Sequence, residues 1–205
     1  MPIRSWLFVP GDSERKLAKA TGLGADVLIV DLEDAVATQA KPAARALAAQ
    51  WLAGDGRGQW VRINPVPGPL WQDDLAAVMP SAPAGIMLPK AAGPHTVAAL
   101  CEALGSHERA AGLAPGSTRI VPLVSETPAA AIAIPAYASP DAGSARLLGL
   151  TWGAEDLSVA LGATRKRDAA GQWSDAFRMV RAQVLLAAAA RGVAAIDTLH
   201  AEFRD

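Results

Sequence analysis

The sequence has little of what extracellular, nucleic-acid-binding and membrane proteins rely on. It contains one cysteine, Cys101, which excludes an intramolecular disulfide and any zinc site made of cysteines alone. The formal net charge is -1, so nothing in the charge indicates nucleic acid or an anionic membrane surface as a partner. Every apolar run is shorter than the roughly 20 residues that cross a bilayer, and the N-terminal apolar segment is too brief for a signal peptide. We therefore expect a cytoplasmic protein.

What the sequence does have is a repeated alternation of short apolar segments and alanine-rich amphipathic segments. The apolar segments predict strands at residues 5–9, 27–32, 59–63, 85–88, 119–124, 146–151 and 193–196. The amphipathic segments predict helices at residues 13–21, 41–53, 70–79, 94–104, 128–134 and 175–191. Alternation of this kind builds a parallel sheet covered by helices, so the sequence predicts an α/β protein.

The corner after the first predicted strand helps to choose between the parallel architectures. It reads VPGDSER and lacks the glycine-rich phosphate loop that a doubly wound sheet usually carries there. A TIM (β/α)8-type barrel, formed as a single domain over residues 1–205, fits better. Closing such a barrel takes eight strands, and only seven are predicted. We therefore expect either a barrel truncated after the seventh strand, with the eighth βα unit and C-terminal segment outside this chain, or an open sheet.

Polar and charged side chains gather where the predicted strands end, which is the active-site rim of a barrel. They are Asp31, Glu33, Asp34, Arg62, Asn64, Lys90, Glu126, Thr127, Glu155 and Asp156. Carboxylates that face cations suit a hard divalent metal holding an anionic substrate. No histidine is among these residues, so their oxygen ligands favour Mg²⁺, or Mn²⁺, over zinc.

Several of these residues also have a purely structural interpretation. The acids after the second strand could cap the following helix. Arg62 could form an ion pair with Asp31 or Glu33 and simply hold neighbouring strands together. Lys90 could be a solvated surface residue, and Glu126 could adjoin a helix cap without a role of its own. The residue pattern leaves these alternatives open.

Seven strings occur along the chain in a fixed order: RSWLFVPG, GADVLIVDLEDAV, WVRINP, GIMLPK, VSETPAA, GAEDLS-x-x-LG-x-x-R and AAIDT. Together they resemble the citrate lyase beta subunit family, within the HpcH/HpaI aldolase and citrate lyase superfamily. Malyl-CoA and citramalyl-CoA lyases belong to the same group. The resemblance implies a metal-dependent TIM barrel enzyme that cleaves a carbon–carbon bond in a 3-hydroxy-acyl-CoA of the citryl, malyl or citramalyl type. Its products would be a 2-keto acid and an acyl thioester.

The resemblance also implies residue roles. Glu126 and Asp156 would hold Mg²⁺ and, through it, the substrate. Arg62 would clamp the substrate oxyanion, and Glu33 and Asp34 would be catalytic acids near the metal and its waters.

Two further binding residues follow from the same resemblance. The backbone after Glu155 would cradle the carboxylate of the keto acid, and Lys90 would contact the acyl-CoA side of the substrate. The implied partners are therefore a small keto acid and a CoA thioester. Relatives are often trimeric, so we also expect a homo-oligomer.

Two alternative functions remain at this point. One is a class II aldolase that acts on free 2-keto acids without a thioester. The other is a non-catalytic relative that binds a keto acid or CoA, or that serves as a subunit of a complex. Relatives continue beyond AAIDT with another helix, an eighth strand and a C-terminal segment that covers a neighbouring subunit's site, and this difference favours the non-catalytic alternative. The intact Arg62, Glu126 and Asp156 argue against that alternative and carry more weight.

Overall fold

The computed structural model describes residues 3–56, 58–66, 68–139 and 145–200. Its strands are β1 (Trp6–Pro10), β2 (Val27–Asp31), β3 (Trp60–Arg62), β4 (Gly85–Leu88), β5 (Arg119–Pro122), β6 (Gly149–Thr151) and β7 (Ala194–Ile196). Its α-helices are α1 (Glu14–Ala20), α2 (Lys41–Ala53), α3 (Leu70–Val78), α4 (Pro94–Ala110), α5 (Pro128–Ala133), α6 (Ala154–Ala160) and α7 (Asp175–Arg191). Short 3-10 turns occupy Thr38–Ala40, Met79–Ser81 and Ile134–Ala138. None of the helices described is long and apolar enough to cross a membrane.

The strands are parallel, which confirms the α/β prediction. One sheet has the order β1-β2-β3-β4-β5, and β6 pairs with β7 in a second sheet. The register places Asp31, the last residue of β2, opposite Arg62, the last residue of β3. The carboxyl ends of these two strands therefore bring an acid and a base together at one edge of the sheet.

The chain divides into two compact units. The first comprises the described residues up to Leu88 together with Leu100–Ile120, and the second comprises Pro89–Ala99 and the described residues from Val121 onward. In the first unit, α2 packs through alanines four residues apart, Ala44 and Ala48, which are fully buried. In the second, Trp152 and Phe177 are among the largest fully buried side chains. The single barrel domain stays a prediction.

Most predicted elements are confirmed to within a few residues, but three differ. Helix α4 continues six residues past the predicted end at 104, because Glu108 stays buried one turn beyond Leu104 and accepts hydrogen bonds from the Gly116 and Thr118 main chains, at 2.8 and 3.0 Å. Strand β6 begins three residues later than predicted. Helix α6 was not predicted, because its first turn, residues 154–156, belongs to the polar segment that follows the sixth predicted strand.

Candidate active site

Arg62 and Asp31 form a buried, bidentate ion pair in the first unit. Arg62 Nε lies 2.8 Å from Asp31 Oδ1, and Nη2 lies 2.5 Å from Oδ2. Asp31 is 2% exposed, and the Arg62 side chain is 12% exposed. The two parallel hydrogen bonds fix the plane of the guanidinium as well as its position. The ion pair considered as a structural alternative for Arg62 is therefore present.

Glu33 and Phe8 complete the surroundings of the same guanidinium. Glu33 Oε2 lies 3.2 Å from Arg62 Nη1, and the Phe8 ring centroid lies 4.8 Å from Arg62 Cζ, within the range of a cation–π contact. Burial by itself would lower the pKa of Arg62, but the hydrogen bonds and charge of Asp31, with the charges of Glu33 and Asp34, outweigh burial and raise the pKa. Arg62 is thus held permanently cationic, and a guanidinium with five N–H groups still has donors to offer an anion.

The three acids after β2 differ in their surroundings. Asp31 accepts hydrogen bonds from the Glu33 and Ala35 main-chain nitrogens, at 2.9 and 3.2 Å, so it shapes the turn as well as pairing with Arg62. Glu33 is 3% exposed. Asp34, the next residue, is exposed to solvent. The predicted cluster is real, but only two of its three acids are buried.

Two buried residues that were not selected from the sequence stabilise the turn at Leu32 and Glu33, directly after β2. Lys41 Nζ donates to the main-chain oxygens of Leu32 and Glu33, each at 2.8 Å. Asp74, which is fully buried, accepts from the main chain and the side chain of Asn64, each at 2.7 Å. Both residues lie within predicted helices, where a charged residue is ordinarily solvated, so the sequence carried no signal for them.

Burial lowers the pKa of Lys41, although the neighbouring acids, Asp74 and Asp31 foremost, oppose that effect. Asn64, which was predicted at the rim, lies two residues after the end of β3 and donates from Nδ2 to Leu32 O at 3.0 Å. The turn that carries Glu33 is therefore held by side chains from outside it.

Glu126 is the buried acid of the second unit. It follows β5, is 3% exposed, and accepts a short hydrogen bond from the main-chain nitrogen of Lys90. Thr127, not Glu126, caps helix α5, because its Oγ1 accepts from Ala130 N at 3.2 Å. Lys90 is half-buried and has a positive φ of 50°, a backbone conformation that is uncommon for residues other than glycine.

Gly153 lets the turn after β6 approach Glu126 closely. A Cβ atom at this position would lie 2.9 Å from Glu126 Cγ, which is closer than real Cβ contacts. Only glycine therefore fits between the buried acid and the start of α6. This close packing is the structural reason for a glycine before Glu155 and Asp156.

Glu155 and Asp156 lie in the first turn of α6 and are half-buried. Glu155 forms an ion pair with Lys166. The turn that leads into them is fixed by two hydroxyl groups, because Gly153 N donates to Ser125 Oγ at 3.2 Å and Ala154 N donates to Thr198 Oγ1 at 3.1 Å. Serine and threonine thus orient the backbone that presents Asp156.

Asp197 is a further anchor of this turn that the sequence analysis did not select. Its Oδ1 accepts from Trp152 Nε1 at 2.8 Å, and Arg181 binds the same carboxylate at 2.6 and 3.0 Å. Burial by itself would raise the pKa of Asp197, but the hydrogen bonds from Arg181 and Trp152 more than offset that effect and lower it.

The chemistry of the donors fits Mg²⁺. Glu126 and Asp156 offer hard carboxylate oxygens, and Mg²⁺ typically takes one or two carboxylates and completes its shell with waters and substrate oxygens. Among the described residues, no group of three or more histidine, cysteine, aspartate or glutamate side chains could by itself hold a metal ion. Glu126 and Asp156 as metal ligands stay a prediction.

The profile of the HpcH/HpaI aldolase/citrate lyase family matches residues 4–205, which is nearly the whole chain. The chain belongs to this family. A citrate lyase subunit beta-like protein of Mycobacterium tuberculosis is 37% identical over 200 residues, which cover 98% of this chain and 65% of that protein. The mitochondrial citramalyl-CoA lyase of Mus musculus is 30% identical over an alignment of 215 positions, which covers all of this chain and 62% of that protein.

A solved structure of this family has a similar fold. The citrate lyase beta subunit of M. tuberculosis complexed with oxaloacetate and magnesium superposes with a TM-score of 0.79 at 37% identity, covering 98% of this chain and 80% of that one. This likeness confirms the TIM-barrel-type fold and the predicted family. The chain spans slightly less than two thirds of the length of the citrate lyase-family relatives it matches.

Proposed function

We propose that this protein is a Mg²⁺-dependent carbon–carbon lyase that cleaves a 3-hydroxy-acyl-CoA of the citryl, malyl or citramalyl type. The products are a 2-keto acid and an acyl-CoA. The observation that carries the proposal is the likeness, across 98% of the chain, to a protein whose structure contains oxaloacetate and magnesium. The similarity to a citramalyl-CoA lyase supports the thioester.

Arg62 is proposed as the residue that binds the anionic oxygen of the substrate. It is buried, fixed in its plane by Asp31, and kept cationic by its neighbours, so it needs no rearrangement to meet a developing negative charge. Preorganised donors of this kind stabilise oxyanions most effectively. Glu33 and Asp34 are the proposed acids that hold or move protons beside it.

Glu126 and Asp156 are proposed to hold Mg²⁺, with Mn²⁺ as a substitute that takes the same oxygen ligands. Glu126 is already buried and fixed by the Lys90 main chain, so little side-chain entropy remains to be lost when a cation binds. Glu155 is proposed to contact the keto-acid side of the substrate, and Lys90 is proposed to contact the thioester side.

The bond cleavage follows from these roles. The substrate hydroxyl on C3 loses its proton to a carboxylate, the C2–C3 bond breaks as the hydroxyl carbon becomes a carbonyl carbon, and the electron pair passes to C2 to form the thioester enolate. Bound Mg²⁺ would lower the pKa of the substrate hydroxyl and polarise its carboxylate. Protonation of C2 gives the acyl-CoA, and Arg62 offsets the negative charge while it exists.

The test is turnover with a panel of thioesters. Purified protein with Mg²⁺ is given citryl-, malyl- or citramalyl-CoA, and the release of oxaloacetate, glyoxylate or pyruvate is followed with and without EDTA. EDTA-sensitive keto acid release from one thioester, with the CoA thiol remaining acylated, is the expected result. Release of free thiol alone would indicate hydrolysis instead of carbon–carbon cleavage and would contradict the proposal.

Two additions to this experiment separate the alternatives: free hydroxy-keto acids as substrates, and thermal unfolding with oxaloacetate or CoA present. A class II aldolase would cleave free hydroxy-keto acids equally well and would gain no thermal stability from CoA. A non-catalytic relative would bind oxaloacetate or CoA and release nothing from any thioester. Self-association and a cytoplasmic location stay predictions.

A further inference from the structure

Lys41 is a buried cation to which the proposed reaction gives no task. It is the first residue of α2 and is 7% exposed. Burying an ammonium group is unfavourable unless hydrogen bonds and opposite charges compensate for the lost water. A helix start needs no charged side chain at this position, so the buried ammonium calls for another explanation.

The two contacts of Lys41 fall on one turn. Its Nζ donates to the carbonyl oxygens of Leu32 and Glu33, consecutive residues, each at 2.8 Å. From the other side, Leu32 N donates to Arg62 O at 2.9 Å. The turn is therefore held between α2 and β3. Its position decides where the Glu33 carboxylate meets Arg62, 3.2 Å from Nη1.

Lys41 also balances charge around Arg62. Six charged side chains that are at most 12% exposed belong to this part of the first unit: the acids Asp31, Glu33 and Asp74, and the cations Lys41, Arg45 and Arg62. Without Lys41, three acids would face two cations. The excess negative charge would attract Arg62 more strongly and leave it less available to an anionic substrate.

We propose that Lys41 is a positioning residue that fixes the Leu32–Glu33 turn and thereby sets how Arg62 is presented to the substrate. The role toward substrate rests on the proposed function, whereas the positioning of Arg62 does not. Lys41 acts through main-chain carbonyls and through charge.

The test observes Arg62 directly, by the ¹H–¹⁵N signal of its Nε–H group, which is assigned from its loss in Arg62→Lys. In Lys41→Met, which keeps the apolar stem, we expect this signal to shift and its exchange with solvent to accelerate. If the proposed lyase is correct, kcat falls about 100-fold, the usual consequence of a misplaced catalytic group, with a smaller change in KM. Lys41→Gln retains N–H donors but ends one bond short, so the signal shifts in the same direction by less.

Arg45→Met is the matched control. It also removes a buried cation, but Arg45 donates to Asp74 and to Leu70 O, not to the carbonyls of the turn, so the Arg62 signal should shift by much less than in Lys41→Met. An equal shift in the two variants would show that charge alone, and not the contact with the turn, sets the position of Arg62. An unmoved Arg62 signal in Lys41→Met would overturn the proposal. If Lys41→Met does not fold, an unmoved signal in Lys41→Gln would overturn it instead. A moved signal in a protein that turns over no thioester supports the positioning and contradicts the proposed function, so the two failures are distinguishable.

Discussion

The acidic clusters of the two units are built in different ways. In the first unit, side chains hold side chains, since Arg62 is fixed by Asp31 and Glu33 and the turn is fixed by Lys41. In the second, small residues and the main chain hold the acid. Glu126 accepts from the Lys90 main chain and packs against Gly153.

This difference teaches what each cluster depends on. A cluster built from opposite charges is balanced before any ligand arrives, and it is sensitive to the loss of a single charge. A cluster built from close backbone packing is sensitive to the addition of a single carbon atom. We associate the first with binding of the anionic substrate and the second with binding of the metal.

The largest expected effect is that of Asp31→Asn. The substitution removes the charge opposite Arg62. It also places an NH₂ group, which cannot accept, where a carboxylate oxygen accepted from Arg62 and from a main-chain N–H group. The free energy of unfolding should therefore fall by about 3–5 kcal/mol. Urea denaturation measures this directly. Asp12→Asn, at an exposed position of the same unit, should change stability by less than about 0.5 kcal/mol. If both variants were equally stable, the first cluster would not be held by charge.

Gly153→Ala should have the next largest effect. Its backbone, at φ −110° and ψ 100°, is open to alanine, so the only obstacle is the contact with Glu126 Cγ. We expect a loss of about 1–3 kcal/mol in unfolding free energy and at least about tenfold weaker Mg²⁺ binding.

Gly22→Ala is the control for this substitution. A Cβ atom at Gly22 would have its nearest neighbour at 3.8 Å, so that variant should be neutral or slightly stabilised. Wild-type Mg²⁺ affinity in Gly153→Ala would show that the close packing against Glu126 is not needed for metal binding.

The smallest predicted effect concerns Asp197, which is half-exposed. Because its pKa is lowered in the folded protein, its carboxylate stabilises the fold above about pH 4, the pKa of an aspartate in an unfolded chain, and this contribution is lost as pH falls through the folded pKa. Asp197→Asn should therefore be less stable than the wild type at pH 7, and the difference should shrink as the pH falls below about 4.

Urea midpoints at neutral and at acidic pH test this prediction. Arg181→Gln should reduce the pH dependence of stability in the same way, because it removes the main partner of the Asp197 carboxylate. A difference that grows at low pH would have the wrong sign.

The sequence predicted the strands and the acids at their ends better than it predicted the residues that hold those acids in place. Strand β2 and its terminal acids were evident, because a buried parallel strand is a continuous apolar run that ends abruptly. The pairing of Arg62 with Asp31 followed from neighbouring strand ends. Periodicity could not predict the contacts of Lys41. A periodic pattern shows which face of a helix is buried, but it does not show that a lysine side chain turns back to bind a carbonyl oxygen eight residues earlier.

Asp197 was out of reach of the sequence for a similar reason. Its partners are Trp152 and Arg181, which lie 45 and 16 residues away along the chain. Long-range hydrogen bonds leave no local pattern.

The most direct test of the central claim, that the metal belongs to the backbone-built cluster and the anionic substrate to the charge-built one, is a titration with Mn²⁺. Electron paramagnetic resonance reports free Mn²⁺, which takes the same oxygen ligands as Mg²⁺. The account predicts that Glu126→Gln loses Mn²⁺ binding, whereas Arg62→Lys keeps it but loses affinity for oxaloacetate. Wild-type Mn²⁺ affinity in Glu126→Gln, or its loss in a folded Arg62→Lys, would contradict this division.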